Sequence, residues 1–303
     1  MAFDINRVLD TRCLHGEGPF WHHPQRRLYW VDILTPTLYC YSADSKKLKQ
    51  YPFSEPIGFA IPVHDTSSDD CPNLVVGLQS GLALYDTATR ALAVLTNPER
   101  DLSNNRFNDG KCDAHGRLWA GTMDCDSAKG KGSLYLMNND RIVSCKDENY
   151  SITNGPAWST DDKTLYHNDT AEGVIYAFDY DLANATITNK RIFYKFSVGT
   201  GAPDGMTVDC DNNLWVACAQ GGSIICLSPR AERLHTINLP VSFITSCAFG
   251  GENLDQLFVT TSRLLDEERL TQEPDAGAIF SIDLGMHGIR GLPGNACHVT
   301  PPR

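Results

Sequence analysis

Along this chain, short apolar runs alternate with polar turns at a spacing too long for one element and too regular for chance. A run that begins with leucine and continues in aromatic or β-branched residues recurs six times. The copies are RRLYWVDI at 26–33, PNLVVGLQ at 72–79, GRLWAGTM at 116–123, KTLYHNDT at 163–170, NNLWVACA at 212–219 and DQLFVTTS at 255–262. The shared leucines, Leu28, Leu74, Leu118, Leu165, Leu214 and Leu257, are separated by 46, 44, 47, 49 and 43 residues. A period of that size marks a unit that cannot bury its own faces and must stack against its copies.

A second strand-like run follows each copy after a turn: TLYCY at 37–41, GLALYD at 81–86, GSLYLM at 132–137, GVIYAFD at 173–179, GSIICL at 222–227 and GAIFSID at 277–283. Five of the six begin with glycine, as expected where antiparallel strands reverse sharply. Four short strands per repeat and six repeats predict an all-β fold, a six-bladed β-propeller around a central channel. Because blades close into a ring and cannot be divided without open edges, one domain over 1–303 is expected despite the length of 303 residues. The residues from Phe3 to Asp10 are expected to supply a strand to the last blade. The best helical stretch is Leu264–Gln272.

Composition adds exclusions. The net charge of −11 argues against nucleic acid or an anionic membrane as partner, since both require a basic face. The N-terminus MAFDINRVLD has no basic segment followed by an apolar run, and no stretch reaches the ~18 apolar residues of a membrane span. The eleven cysteines are scattered without a CxxC pair, and several fall inside strand runs. They read as small buried hydrophobes in a reducing compartment, so a cytoplasmic location is expected. A monomer or weak homo-oligomer is expected.

The candidate chemistry lies in the segments leading into the leucine runs, where the innermost strands of the blades should fall. Glu17 lies 11 residues before Leu28, Asn108 10 before Leu118, Asn154 11 before Leu165, and Asp204 10 before Leu214. Equivalent positions in a closed ring converge on its axis, so four oxygen-bearing side chains would surround one channel and suit a divalent cation. Each is followed closely by glycine (Gly18, Gly110, Gly155, Gly205), read here as the residue that lets the backbone turn tightly while presenting the side chain before it.

The stretches GEGPFW, NNRFNDGKCD, GTMD, TNGPAWS, PDGMTVD, NNLWVACAQGG and TSCAFGG, in this order over nearly the whole chain, resemble the SMP-30/gluconolactonase/luciferin-regenerating-enzyme family. ITNGPAWSTDDKTLYHNDTAEGVIYAFD is especially similar to its sugar-acid lactonases of the xylonolactonase type. The resemblance implies a six-bladed propeller with one divalent metal held by Glu17, Asn154 and Asp204. It implies that Asn108 lies beside them, contacting substrate or a bound water, and that Arg106 contacts sugar hydroxyls. Asp126 falls where relatives carry a substrate-touching glutamate. The loop there reads DCDSAKG, unlike the relatives, and Asp124 is the nearest substitute.

The implied activity is hydrolysis of a small-molecule sugar (aldono-) lactone to the aldonic acid. The metal would polarise the lactone carbonyl and activate water, and Asp204 would double as ligand and general base. An oxygen-only set accommodates calcium, magnesium or manganese, with zinc and ferrous iron also open. The alternatives are a phosphotriesterase or arylesterase on the same propeller, or a non-catalytic calcium-binding protein. Other motifs carry less. Asp209-Cys210-Asp211 begins like an EF-hand loop but lacks its glycine and terminal glutamate, so a turn is expected. His22 and His23 read as surface turn residues, and His167 as a packed one. Two loops, Asp124–Gly132 and Ser262–Gly277, are candidates for the pocket mouth, and 199–205 should border the channel because it leads into Asp204.

Overall fold

The computed structural model of the chain describes residues 3–64 and 73–300. Pro72, the first residue of the second leucine run, lies outside them. The described strands form six four-stranded antiparallel sheets, arranged as the blades of a six-bladed β-propeller. In five blades the four strands follow one another in sequence. In the sixth, Asp4–Leu9 pairs antiparallel with Ile279–Asp283 and so fastens the beginning of the chain to its last blade.

The leucine runs are the second strands of the blades. All six shared leucines are buried between neighbouring sheets, which explains why the runs read as continuous apolar segments rather than alternating ones. The fourth strands are largely exposed instead; Leu48–Pro52, for example, buries only Tyr51. Two blades use the same device to hold the turn before the leucine run. Asp113 accepts from the Arg117 backbone N–H at 3.1 Å and from the Trp119 indole at 3.1 Å. Asp209 accepts from the Asn213 N–H at 2.8 Å and the Trp215 indole at 2.9 Å. The segment resembling an EF-hand start is therefore a strand-to-strand turn, its carboxylate already committed.

The innermost strands are Gly16–His22, Ile57–Pro62, Asn105–Cys112, Thr153–Trp158, Ala202–Val208 and Ile244–Gly250, and they pack side by side around the channel. At one end of the channel the C-terminal segment crosses the ring. Gly291 N donates to Leu254 O, Cys297 N to Pro62 O, and His298 N to Gly116 O. Leu292–Asn295 line a cavity of about 350 Å³ there, with Trp21, Lys111, Trp158 and Phe249. The opposite end, where the innermost strands begin, carries the polar residues singled out from the sequence.

No disulfide joins the cysteines of the described residues. Among those residues no helix is long and apolar enough to cross a membrane. The helix expected at Leu264–Gln272 is confined to Glu267–Gln272, capped by the Asp266 carboxylate, which accepts from Arg269 N at 2.8 Å.

The strand from Asp4 tests the closure. Ile5 packs against the cluster shared by blades 5 and 6. Ile5→Asp is expected to cost about 1 kcal/mol and lower the melting temperature by about 2 °C, with self-association rising as the edge of Ile279–Asp283 is uncovered. A melting curve paired with light scattering checks both.

Candidate metal and substrate site

Every innermost strand carries one extra residue relative to its partner strand, at the same height in the ring. The register slips between Glu17 and Phe20, Ile57 and Phe59, Phe107 and Asp109, Asn154 and Ala157, Pro203 and Met206, and Ile244 and Ser246. A bulge swings the local side chain out of the pleat. Repeated six times, it brings Glu17, Asn108, Asn154 and Asp204 into one cavity of about 610 Å³. In the other two blades Gly58 and Thr245 occupy the bulge. A Cβ on Gly58 would meet Asn108 O at 2.5 Å, so glycine there lets blade 3 approach. The sixfold bulge leaves no mark in the hydrophobic pattern and was not expected from the sequence.

The four glycines beside these residues divide into two kinds. Gly18 and Gly155 have φ of 54° and 82°, the left-handed conformation that favours glycine. Gly110 and Gly205 do not. A Cβ at Gly110 would meet the Phe59 ring at 2.7 Å, and one at Gly205 the Ser246 hydroxyl at 1.9 Å. The expectation of a tight turn at all four is corrected: two are required for the turn and two for the space.

The polar groups form a directed chain. Arg106 Nη1 donates to Asn108 Oδ1 at 2.7 Å, Asn108 Nδ2 to Asn154 Oδ1 at 3.1 Å, and Asn154 Nδ2 to Thr170 Oγ1 at 2.9 Å. Asn108 Nδ2 also donates to Thr153 O at 2.7 Å. Glu17 and Asp204 stand outside this chain. Glu17 Oε2 accepts from Gly18 N at 2.8 Å, but Glu17 Oε1 and Asp204 Oδ1 are buried without a hydrogen-bond donor. Burial first, then the charge of Asp109, holds the Glu17 carboxyl above the usual carboxylate range; burial, then the charges of Glu17 and Asp109, holds that of Asp204 well above it. Two unsatisfied carboxylate oxygens this close are costly unless something positive joins them. With the Asn154 amide oxygen they make a hard-oxygen set that a divalent cation fits. Among the described residues no three His, Cys, Asp or Glu side chains converge as a metal-binding group; the oxygens here are two carboxylates and an amide.

A third carboxylate, Asp109, was not singled out from the sequence. It is 2% exposed, and its two oxygens accept from Gly110 N at 2.7 Å and from Gly155 N at 3.0 Å. It therefore ties the bulge of blade 4, immediately after Asn154, to blade 3. His15 also lines the cavity, together with Leu34, Phe243 and Leu264. Burial and the nearby Arg106 pull its imidazole pKa down to about 3, so the ring is neutral.

Asp124 and Asp126 stand apart from the cavity wall, to which their loop contributes Cys125 and Ser127. Asp124 accepts from the backbone N–H groups of Asp126 at 2.9 Å and Ala128 at 3.3 Å, and from Asn104 Nδ2 at 2.9 Å. Asp32 and Asp169, which end the second strands of blades 1 and 4, likewise accept from the loops that follow them, at Leu34 N and Thr35 N and at Glu172 N. They also accept from the segments leading into the innermost strands. Asp126 accepts from Asn104 Nδ2 at 3.0 Å. The second loop, Ser262–Gly277, contributes Leu264, while its helix buries no residue. Gly199, Gly201 and Ala202 border the cavity beside Asp204. His167, in blade 4, is wholly buried against Tyr150 of blade 3, and it does not line the cavity.

A family model described as the SMP-30/Gluconolactonase/LRE-like region matches residues 15–263. The candidate sugar lactone lactonase YvrE of Bacillus subtilis (strain 168) is 34% identical over 288 residues, covering 94% of this chain and 96% of its own. A solved luciferin-regenerating enzyme superposes with a TM-score of 0.90 at 32% identity, over 98% of this chain and 100% of its own. A calcium-binding regucalcin from Agrobacterium tumefaciens str. C58 superposes with a TM-score of 0.90 at 25% identity, over 98% of each chain.

Proposed function

Because the chain belongs to the SMP-30/gluconolactonase/LRE-like family, we propose that it hydrolyses a sugar-acid lactone at the Glu17–Asn154–Asp204 end of its channel, with one divalent cation bound there. The observation that carries this reading is the pair of buried oxygens, Glu17 Oε1 and Asp204 Oδ1, that find no donor in the protein. A stable fold rarely leaves such groups unanswered, and where it does a ligand or catalytic task is the usual reason.

The ion, when bound, supplies Lewis acidity toward the lactone carbonyl. The rest falls to the chain. Asp204, whose burial favours taking up a proton, accepts one from the attacking water as the water oxygen bonds to the carbonyl carbon. The ring C–O bond then breaks, the ring oxygen takes the proton back from Asp204 and leaves as a hydroxyl, and the water's second proton is released when the new carboxylic acid ionises. Arg106 and Asn108 hold substrate hydroxyls, since a sugar lactone offers many donors and acceptors but no charge. Leu34, Phe243 and Leu264 form an apolar rim that limits bulk water around the reacting ester.

Metal-stripped protein with single ions added back tests the reading against xylono-, galactono-, arabino- and gluconolactone. Proton release is expected only with an ion present, and the melting temperature is expected to rise with the ion alone. At a hundredfold excess over Kd that binding contributes about 2.7 kcal/mol of stability. Acidification at the spontaneous rate with every ion would remove the lactonase reading. A melting temperature that rises with calcium but no turnover would leave a calcium-binding propeller. Activity on phenyl esters or phosphotriesters exceeding that on the lactones would select that rival hydrolase.

A further inference from the structure

We infer that His15 reads a ring hydroxyl of the substrate through Nε2, and so sets the preference for hydroxylated over plain lactones. The inference rests on the lactonase reading for the kind of substrate, but its geometry is independent of the cation. His15 enters the cavity two residues before Glu17, with its backbone held by one contact and its ring by two. Its backbone N–H donates to Asp32 Oδ1 at 3.0 Å. Its ring meets Phe243 edge to face, with centroids 5.6 Å apart and planes at 77°. Its Nδ1 lies 3.0 Å from Ser262 Oγ.

The Ser262 hydroxyl determines what the imidazole offers. That hydroxyl has one proton and two lone pairs. It donates to Leu14 O at 2.9 Å and accepts from Leu264 N at 3.1 Å. The contact with the Ser262 hydroxyl occupies Nδ1 in either tautomer and leaves Nε2 as the ring nitrogen open to a ligand. His15 lines the cavity beside Leu34, Phe243 and Leu264, none of which offers a side-chain donor or acceptor. A single fixed hydrogen-bonding nitrogen in an apolar stretch of wall is matched by a hydroxyl, which can both donate and accept. Arg106, which also lines the cavity, can only donate. A polyhydroxylated ring satisfies both groups, and a lactone without hydroxyls satisfies neither. Preference built this way comes from leaving a site group unpaired rather than from added attraction.

The test compares His15→Leu and Ser262→Ala with the wild-type holoenzyme on gluconolactone and on δ-valerolactone, the same ester without hydroxyls. His15→Leu is expected to raise KM for gluconolactone about tenfold with kcat within about twofold, the effect of one neutral hydrogen bond. Turnover of δ-valerolactone and the Mn²⁺ dissociation constant should stay at wild-type values, so the preference falls about tenfold. Ser262→Ala, which frees the ring but keeps it, should move the preference the same way by less. Equal losses on both lactones, or an unchanged preference, would overturn the inference. Saturation-transfer NMR with 1,5-anhydroglucitol, a ring polyol without a carbonyl, separates the two readings. If the wild type binds it without hydrolysing any lactone and His15→Leu binds it weakly, the lactonase reading fails and His15 stands. Binding unaffected by His15→Leu, or absent in the wild type, removes His15 as well.

Discussion

Asp204→Ala is expected to lower kcat/KM for the lactone at least about 10³-fold and to abolish the thermal response to divalent ions. Two roles are lost at once. The variant removes one of two carboxylates in the proposed ligand set and the group placed to take the water's proton; general-base catalysis alone contributes roughly 10²–10⁴. Ordinary destabilisation predicts a different result. Asp204 is 4% exposed, and burial together with the Glu17 charge penalises its ionised form. Without the ion, removing it relieves that repulsion, so stripped Asp204→Ala should melt no lower than the stripped wild type. Activity lost with stability kept is the pattern of a residue held under strain for function. Asp204→Asn separates the roles, because it keeps an oxygen for the ion and loses the base. Turnover equal to wild type at full ion occupancy would remove the base role and leave Asp204 as a ligand.

Much of this architecture was legible because repetition amplifies weak signals. One LYWVD or one LWVACA could be a strand in any fold, but six leucines at a near-constant period, all of them buried, can only stack. Glu17, Asn108, Asn154 and Asp204 were legible for the same reason, as acidic or amide residues at offsets of 10 or 11 from those leucines. What the sequence could not carry was geometry between blades. The bulge that turns the four side chains into the cavity depends on pairing between strands, and register leaves no trace in composition. Gly205 looked like a turn residue, yet its reason is the Ser246 side chain of the next blade. Asp124 stood beside the right loop, but only the register shows it ending a second strand as Asp32 and Asp169 do. Asp109 was hidden by its neighbour: in a strand adjacent residues face opposite ways, and the offset pointed to Asn108.

Asp109→Ala and Asp109→Asn are both expected to weaken divalent-ion binding about 10–100-fold, although Asp109 stands behind the proposed ligands rather than among them. Groups that orient a ligand from behind typically matter by that factor. Asn154 is held by its neighbours on both sides. Asn108 fixes the Thr153 carbonyl and the Asn154 amide oxygen, and Asp109 fixes the Gly155 N–H at 3.0 Å. Its other oxygen takes the Gly110 N–H at 2.7 Å. Both partners are donors, so the isosteric amide is no safer than alanine. Whichever way the carboxamide of Asp109→Asn turns, its NH₂ faces one backbone N–H, leaving a buried donor unpaired at about 1–3 kcal/mol. Both variants also remove a buried negative charge near the cation, which acts in the same direction. Titration with Mn²⁺, followed by calorimetry or competition with a chelator, reads the effect without any lactone. An Mn²⁺ dissociation constant within twofold of wild type, with only the melting temperature lowered, would confine Asp109 to joining blades 3 and 4. A weakened constant in both variants, with kcat recovering at saturating ion, would establish that the Asn154 bulge is held in place for the ion and that Asp109 holds it.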